Sequence, residues 1–475
     1  EPATVGMPRL AVLDLALVAP DSSEAWLSAG ISEEVSLSLS RFTGIRVKSR
    51  GAIRDAPRSG PIALGRRLSV DYLVEGNVQR AGDRLKVGVR LTSTRDGFQV
   101  WGHEFDAAPA ELPELHHRIA SLIAARVGGT LATSDSASAL RRLTSNPLAY
   151  EHYLRGTYLL GRRTPVAVEQ AIAQFQRAFA LDSTFAAAPA RIAYGYYIFL
   201  EWGWSYRGAG PDQLLRDGML LVDQSLATDS SSAEAWLSRA YLLVIRDPVS
   251  MRGAPEAFEH ALSLDPRSVE TLYQYAQALM ALGRWPEARV AYRRAIALEP
   301  ERGQTYVSLG SIERKEGFPE VARRLYDSAL IVEPGASYAR AARSRMRLEA
   351  GDVAGALDDA QTAVRTTQGY TVPPRAALAA ALYRSGDTSG ASREIEMSRE
   401  AMANPGHPSP TDVRWVGAAL IVLGRKDEAL DLLERARPRG AWLWFYFVAS
   451  EFDPVRHDPR FIRVMREARP GYPGE

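Results

Sequence analysis

Apolar residues follow different periodicities in the two parts of the chain. A short apolar run rich in β-compatible residues (9–18) precedes a segment with apolar residues at helical spacing (24–42). A second short helix follows, and apolar residues then alternate with period two through 85–91, which indicates an antiparallel meander. Residues 110–131 have the pattern of an amphipathic helix. Residues 1–132 are therefore predicted to form a small α/β domain with a mixed sheet, in the order βαβαβββα.

Beyond a polar linker at residues 133–145, helical segments recur with a fixed period. Residues of the same type lie 34 positions apart in three series: Gly283, Gly317 and Gly351; Ala288, Ala322 and Ala356; Pro266, Pro300 and Pro334. Small residues let paired helices approach closely, and proline ends the second helix of a pair. An all-α superhelix of about eight helix pairs is predicted over residues 146–437. Residues 438–475 are predicted to form a capping helix and tail, and the whole chain belongs to the α+β class.

The predicted helix pairs begin at regular landmarks. Their expected starts are near Asn146, Ala186, Ala233, Val269, Gly303, Ser337, Val372 and Pro410. The unit that starts near Ala186 carries an insertion of about a dozen residues.

Two families resemble parts of this chain. The unit VETLYQYAQALMALGRWPEARVAYRRAIALEP (269–300) resembles the tetratricopeptide repeat (TPR) family. The first part is similar to the TolB-like amino-terminal domain of bacterial regulatory proteins, in four segments: 10–15, 29–47, 64–91 and 100–106. Where that family usually has proline and phenylalanine after the first strand, this chain has Asp14 and Leu15, so the first loop is expected to differ. In proteins with this domain order, the pair typically follows an adenylate cyclase, a serine/threonine kinase or a winged-helix DNA-binding domain.

Composition excludes several classes of function. The chain is 46% hydrophobic and 24% charged, which is ordinary for a folded soluble protein. A net charge of +2 gives no reason to expect nucleic acid as a partner of this part. The absence of cysteine excludes a thiol nucleophile, a disulfide framework and cysteine-ligated metal centres. Phosphate-loop, zinc-protease, kinase and serine-hydrolase motifs are also absent, so no enzyme activity, catalytic residue or cofactor is predicted.

The TPR resemblance implies which positions of each first helix face inward, and these positions are rich in tyrosine and arginine. The candidate partner-binding groove consists of Tyr194, Tyr197, Tyr241, Tyr273, Gln277, Arg314 and Arg345. Tyrosine and arginine anchor protein interfaces, so we expect a protein or extended peptide partner with apolar and acidic groups. The alternative is that the tyrosines pack within the superhelix. The lysine and asparagine pair that clamps a terminal carboxylate in chaperone co-factors is missing from these positions, which disfavours that role.

Two further surfaces are candidates for binding. A basic cluster could bind phosphate or another anion: Arg41, Arg46, Lys48, Arg50, Arg54, Arg58, Arg66 and Arg67, opposed only by Asp55. The alternative is that these side chains are dispersed around a solvated helix and loop. The insertion at 200–213 places Trp202, Trp204 and Tyr206 in a glycine-rich loop. Such aromatic residues form a contact surface when exposed, and otherwise fold back on the neighbouring helix.

Two pairs of titratable residues are better explained by their places on helices than by a metal site or by acid/base catalysis. His116 and His117 are neighbours on a helix and point about 100° apart, so no metal site is predicted. Glu33 and Glu34 lie near the start of a helix, where negative charge complements the helix dipole.

These observations favour a non-catalytic protein-protein interaction and assembly scaffold, associated with a membrane complex. The alternative is a sensory or regulatory region of an upstream kinase, adenylate cyclase or winged-helix transcription factor. The apolar run at 441–450 is half of the ~20 residues that a membrane-spanning helix needs. Because the chain opens at Glu1 without an initiator methionine, we expect that an upstream segment was removed. An extracytoplasmic (periplasmic) location is favoured, with a cytoplasmic one as the alternative.

Overall fold

The structure, a computed structural model, describes residues 7–18, 24–40, 42–48, 53, 60–82, 84–108, 111–128, 130–131, 144–248, 250–367, 371–403, 410–436 and 450–468. The described residues fall into two compact units. The first contains those within 1–200, 204–238 and 264–267; the second contains those within 201–203, 239–263 and 268–475. The predicted divisions of the chain at 133–145 and 438 remain predictions.

The first unit opens with a mixed sheet. Its strands are β1 (Arg9–Val12), β2 (Ala16–Leu17), β4 (Arg46–Val47), β5 (Tyr72–Ala81), β6 (Arg84–Ser93) and β7 (Gln99–Ala107), while β3 (Phe42–Thr43) and β8 (Thr130–Leu131) pair separately. The strand order is β4-β1-β5-β6-β7, and β2 also pairs with β5. The pairs of β1 are parallel, whereas β5, β6 and β7 are antiparallel. The predicted mixed sheet and its meander are confirmed.

Three helices cover this sheet: α1 (Ala25–Ser40), α2 (Pro61–Leu68) and α3 (Leu112–Val127). Leu27 and Ile31 of α1 and Ile119 of α3 are fully buried, as expected for the apolar stripe of an amphipathic helix. Helix α2 contacts β5 and β6, and its Leu64 joins a buried apolar cluster that includes Leu73 of β5.

The first predicted strand is wrong in its length, because β1 ends at Val12. The N–H of Leu15 donates to Oγ of Ser32 at 3.1 Å, and Oγ of Ser28 donates to the carbonyl of Leu15. Helix α1 thus satisfies both backbone groups of Leu15, which interrupts the strand before β2 begins.

The predicted helix over 110–131 is also too long. Helix α3 ends at Val127 because Gly128 adopts a φ of 84°, and the N–H of Gly128 donates to the carbonyl of Ala124. A positive φ favours glycine and commonly ends helices. Thr130 and Leu131 then form strand β8.

Eight helix pairs follow in the described residues. They are α4 (Pro147–Leu160) with α5 (Pro165–Leu181), α6 (Ala187–Trp202) with α7 (Pro211–Thr228), α8 (Ala233–Arg246) with α9 (Ala254–Leu264), α10 (Val269–Ala281) with α11 (Trp285–Leu298), α12 (Gly303–Lys315) with α13 (Pro319–Val332), α14 (Ser337–Glu349) with α15 (Val353–Thr366), α16 (Val372–Arg384) with α17 (Thr388–Ala403), and α18 (Pro410–Val422) with α19 (Lys426–Ala436). Each pair begins within two residues of its predicted start, so the expected number of pairs is confirmed.

A C-terminal element follows the last pair. It comprises a 3₁₀ helix (Ser450–Val455) and helix α20 (Pro459–Ala468). A helix after the array was predicted here, whereas 437–449 lie outside the described residues.

The 34-residue period has a direct structural cause. Gly283, Gly317 and Gly351 lie just after the first helices of three pairs, with φ between 75° and 85°. Within a pair, a Cβ at Gly310 of α12 would lie 2.6 Å from Cε1 of Tyr326 on α13, so only glycine permits this close approach. In the second unit, first helices of successive pairs contact one another: α12 with α14, α14 with α16, and α16 with α18. We call α12, α14, α16 and α18 the inner layer.

Within the first unit, α1 is packed directly against α4. A Cβ at Gly30 would lie 3.3 Å from Cβ of Leu154. The hydroxyl of Tyr150 lies 3.0 Å from Nδ1 of His116, and both side chains are buried. Burial lowers the pKa of His116 to about 3, so this imidazole is neutral at physiological pH. The α/β part and the first repeat helices thus share one core.

The described residues contain neither a metal-binding cluster nor a membrane-spanning helix. No group of three or more His, Asp or Glu side chains within these residues is placed to hold a metal ion. None of the helices in the described ranges combines the length and the apolar character needed to cross a membrane.

Candidate functional site

The groove tyrosines of the first unit lie side by side on α6. The rings of Tyr194 and Tyr197 are stacked with their centroids 5.8 Å apart. The hydroxyl of Tyr194 accepts a hydrogen bond of 2.8 Å from Nη2 of Arg163. Tyr197 is buried, whereas Tyr194 is partly exposed. Of these two residues, Tyr194 offers more surface to a partner.

The groove tyrosines of the second unit are largely buried. Tyr241 of α8 packs edge-on against Phe258 at 6.0 Å, and Tyr273 of α10 packs edge-on against Tyr292 at 5.7 Å. The exposed fractions of Tyr241 and Tyr273 are 4% and 7%. Packing within the array, the alternative left open by the sequence, thus describes these rings.

Tyr273 is also the centre of a polar network. Its hydroxyl lies 3.2 Å from Oγ of Ser308 and accepts a hydrogen bond of 3.1 Å from Nε2 of Gln277. Oε1 of Gln277 accepts a bond of 2.8 Å from the hydroxyl of Tyr292. The guanidinium of Arg302 lies 4.6 Å from the centroid of the Tyr273 ring. This network holds a partly exposed amide, Gln277, in a fixed orientation.

The two groove arginines meet at a buried carboxylate that sequence reasoning did not include. Nη2 of Arg314, Nη1 of Arg345 and Nη2 of Arg414 lie 2.9, 2.8 and 3.3 Å from Oε1 of Glu451. We call Arg314, Arg345 and Arg414 the arginine cluster. Its members come from α12, α14 and α18 of the inner layer, whereas Glu451 belongs to the 3₁₀ helix of the C-terminal element. All four side chains are 11% exposed or less.

Burial and the interactions between the three arginines and Glu451 shift the pKa values of this cluster. Burial alone would raise the pKa of Glu451, but Arg345, Arg314 and Arg414 hold it well below its usual range. Burial lowers the pKa of Arg345 to about 10, against the opposing effect of Glu451. Arg314 has a second partner, since its Nη1 lies 2.7 Å from Oε1 of the half-exposed Glu349.

A fourth cation and two tryptophans border the arginine cluster. Nζ of Lys315 lies 4.9 Å from the centroid of the Trp285 ring. Burial, with a contribution from Arg414, lowers the pKa of Lys315 to about 7. The guanidinium of Arg345 lies 4.5 Å from the ring of Trp415. The arrangement is suited to holding an anionic group beside aromatic surfaces.

The candidate anion patch is described only in part. Arg41, Arg50, Arg54 and Arg58 lie outside the described residues. Among the others, Lys48 is buried and Arg46 partly buried on or beside β4, whereas Arg66 and Arg67 are exposed in the last turn of α2. Cations at the end of a helix are favoured by its dipole, which accounts for Arg66 and Arg67 without a ligand.

The aromatic loop is mostly folded back, the alternative left open by the sequence. Tyr206 is buried and its ring packs against Tyr196 and Phe199, at 5.3 and 5.1 Å. Trp204 packs edge-on against Phe199 at 5.9 Å. Only Trp202 of the predicted three is exposed, at 50%.

Sequence reasoning missed one of the three arginines of the cluster, Arg414, and the carboxylate of Glu451 that they share. Arg414 is the fifth residue counted from Pro410, just as Tyr273 is the fifth from Val269. Extending the inward-facing positions to the last pair would therefore have found Arg414. No local signal identifies Glu451 as its partner, because that contact is made between distant parts of the chain.

Comparison with known proteins adds the decisive observation for the array. Residues 269–302, which contain α10, α11 and the turn between them, match the tetratricopeptide repeat family. The helix pair α10 and α11 is therefore similar to a tetratricopeptide repeat, and it is one of the eight helix pairs in the described residues. Tetratricopeptide arrays generally bind proteins or peptides on their extended surfaces, so the array implies a partner of that kind.

One relative and several solved structures are similar to this tetratricopeptide protein. A protein named as an adenylate cyclase from Rhizobium meliloti (strain 1021) is 24% identical over 238 residues, which is 50% of this chain and 40% of the relative. The chain thus spans less than half of that relative's length. Yeast Tom70 aligns with 67% of this chain and 68% of its own, at 16% identity and a TM-score of 0.43. A tetratricopeptide protein from Parabacteroides merdae aligns with 59% of this chain and all of its own, at 11% identity and a TM-score of 0.42.

Proposed function

We propose that this chain is a non-catalytic interaction and assembly scaffold that binds a protein or peptide partner through the first helices of its tetratricopeptide array. The observation that carries the proposal is the arginine cluster, which the inner layer holds beside Trp285 and Trp415. Arginine and aromatic residues dominate the energetics of protein interfaces. The cluster holds a carboxylate by ion pairs and by hydrogen bonds from Arg314 and Arg414, which is a binding arrangement and needs no reacting group.

Two other polar side chains of first helices are partly exposed, one in each unit. Tyr194 on α6 and Gln277 on α10 are each fixed by hydrogen bonds, to Arg163 and to Tyr273 and Tyr292 respectively. Fixed side chains lose little conformational freedom when a partner binds, which favours affinity. We therefore propose that each unit offers its own fixed polar contact to a partner, Tyr194 in the first unit and Gln277 in the second.

The α/β part is proposed to be a TolB-like domain. Support comes from the four similar segments of the sequence and from the mixed sheet with its antiparallel meander. Its close packing on α4 would transmit a change in the array to this domain. We further propose an extracytoplasmic location and association with a membrane complex.

Affinity capture with a variant pair tests the scaffold. The full chain is immobilised through an amino-terminal tag and incubated separately with detergent-solubilised native membranes and with soluble extract. A partner that binds the first helices should fall at least tenfold in yield with the double variant Tyr194→Ala/Gln277→Ala. The matched control is Arg323→Ala, an exposed residue of second helix α13. Equal retention by wild type, variant and control would contradict the proposal, and the fraction that yields the partner tests the membrane association.

A second candidate function, a regulatory region of an adenylate cyclase, is favoured by the similarity to the Rhizobium meliloti protein. The complete gene product that contains this chain should then form cyclic AMP from ATP in the presence of Mg²⁺ or Mn²⁺. Substitutions within the array should change the rate. A complete gene product without this activity would contradict the second candidate function, and the interaction scaffold would remain as the proposal.

A further inference from the structure

The C-terminal element meets the inner layer in the manner of a bound peptide. Its 3₁₀ helix presents Glu451 to the arginine cluster and the adjacent Phe452 to α18. Phe452 is fully buried, and its ring is stacked with that of Phe461 at 6.0 Å. A Cβ at Gly417 of α18 would lie 3.4 Å from Cε1 of Phe452, so the ring lies close to the helix backbone. One carboxylate and one aromatic ring of the 3₁₀ helix thus contact the inner layer.

Glu451 does not saturate the cations around it. Three arginines share its Oε1, while Oε2 has no hydrogen-bond partner among the described residues. Nε of Arg314 and Nε of Arg345 are likewise buried and without a hydrogen-bond partner in the described part of the chain. Bidentate contacts between guanidinium and carboxylate are the stronger arrangement, and none forms here. The arginine cluster therefore has unused capacity to bind a carboxylate.

The arrangement of charges also indicates that the arginine cluster can bind another carboxylate. Three guanidinium groups, those of Arg314, Arg345 and Arg414, meet at one oxygen of Glu451. A better-placed carboxylate would pair with the Nε groups of Arg314 and Arg345, which Glu451 does not reach. The side chain that already occupies the cluster shows the chemistry that it accepts, which is an acidic residue followed by an aromatic one.

We infer that the 3₁₀ helix Ser450–Val455 is an internal ligand, which occupies a site for an acidic-aromatic peptide segment and is displaced by a partner that carries such a segment. This inference rests on the proposed function, since it names the chemistry of the partner. It also makes the C-terminal element a gate, because a partner must compete with Glu451 for the arginine cluster.

The chain's own segment provides the probe, so that no partner need be known. A fluorescein-labelled peptide of residues 448–458 (VASEFDPVRHD) is titrated into the full chain and followed by fluorescence anisotropy. The variant Glu451→Gln weakens the internal ligand while keeping its shape, and should bind the peptide at least tenfold more tightly than wild type does. A peptide with glutamine in place of its single glutamate should not bind. The double variant Glu451→Gln/Arg345→Ala should lose the gain.

The matched control is Glu434→Gln. Glu434 lies on α19 and pairs with Arg460 and Arg463 of α20, so its loss removes ion pairs of the C-terminal element outside the arginine cluster. This variant should bind the peptide as weakly as wild type does. Equal peptide affinity of Glu451→Gln and Glu434→Gln, with both variants folded by near-ultraviolet circular dichroism, would overturn the inference and leave Glu451 as a structural ion pair.

A second measurement uses the wild-type chain, in case Glu451→Gln does not fold. Hydrogen exchange of residues 450–468 is followed with increasing unlabelled peptide. Displacement predicts that these amides lose protection as the peptide binds, and that the glutamine-substituted peptide has no such effect. Unchanged protection up to millimolar peptide would overturn the inference. Partner capture that depends on Tyr194 and Gln277 would be unaffected by this result, so the two proposals fail separately.

Discussion

Nη2 of Arg314 lies 2.9 Å from Oε1 of Glu451, although the two residues are 137 positions apart in the chain. Arg314 belongs to the first helix of the fifth pair, whereas Glu451 follows the eighth pair. The contact joins the end of the chain to the inner layer of the second unit. A change at the C-terminal element is therefore also a change in what the inner layer can bind.

Removal of Glu451 should destabilise the second unit more than removal of Arg345. Glu451→Gln leaves the buried arginine cluster without its shared carboxylate, which we expect to cost about 3 kcal/mol. Arg345→Met should cost less, because burial already disfavours the charged guanidinium and Glu451 keeps Arg314 and Arg414. Urea unfolding, followed by tryptophan fluorescence, measures both. A larger loss for Arg345→Met would contradict this description of the cluster.

Acid should release the C-terminal element. The folded-state pKa of Glu451 lies well below 4.5, so its ion pairs stabilise the fold above the unfolded pKa and are lost as pH falls through the folded value. The surrounding Arg314, Arg345 and Lys315 stay charged throughout this range, because their pKa values lie above it. The protection factors of the amides of residues 450–468, which correct for the intrinsic pH dependence of exchange, should therefore fall progressively below about pH 4.5. In Glu451→Gln this pH dependence should be absent. The same pH dependence in Glu451→Gln as in wild type would contradict the assignment of the effect to Glu451.

Lys315 should make the second unit more stable in alkaline solution. Its pKa falls from 10.5 in the unfolded chain to about 7 in the folded one, so the folded state binds fewer protons between these values. The free energy of unfolding should rise with pH across this window, and Lys315→Met should abolish the rise. At pH 6 this variant should also be more stable than wild type by a few kcal/mol, which is on the order of the free energy equivalent to the pKa shift. Denaturant midpoints at pH 6, 8 and 10 measure the effect, with the exposed Lys426→Met as the control. A rise that persists in Lys315→Met would contradict the assignment.

Gly310 should not tolerate alanine. Alanine normally stabilises a helix interior relative to glycine by up to about 1 kcal/mol. At Gly310, however, the added Cβ would lie 2.6 Å from Cε1 of the fully buried Tyr326. The resulting overpacking should outweigh that gain and lower stability by about 1–3 kcal/mol. Gly210→Ala, where no atom lies within 4 Å of the added Cβ, is the control, and thermal unfolding compares them. Similar midpoints for the two variants would show that α12 and α13 can separate without cost.

Much of the array could be predicted because its signals are local and repeated. The glycine at 283 recurs in each turn that requires a positive φ, and the alanine at 288 recurs where the two helices of a pair are in close contact. The 34-residue period of these residues therefore predicts the helix pairs. The interruption of the first strand could not be predicted, since it depends on Ser28 and Ser32 reaching Leu15 from a different element.

The candidate site was predictable in part for the same reason. Arg314 and Arg345 occupy inward positions that the repeat specifies. Their partner Glu451 was not predictable, because ion pairing between distant segments leaves no periodic pattern. The burial of Tyr241 and Tyr273 likewise depends on neighbouring helices that the sequence of one helix does not specify.

The most direct test of the account is the affinity of a captured partner for three versions of the full chain. Isothermal titration would compare wild type, Glu451→Gln and Tyr194→Ala/Gln277→Ala. The account predicts at least tenfold tighter binding by Glu451→Gln, a difference of about 1.4 kcal/mol, and at least tenfold weaker binding by the double variant. Equal affinities for all three, with each protein folded, would contradict both the binding surface and its internal ligand.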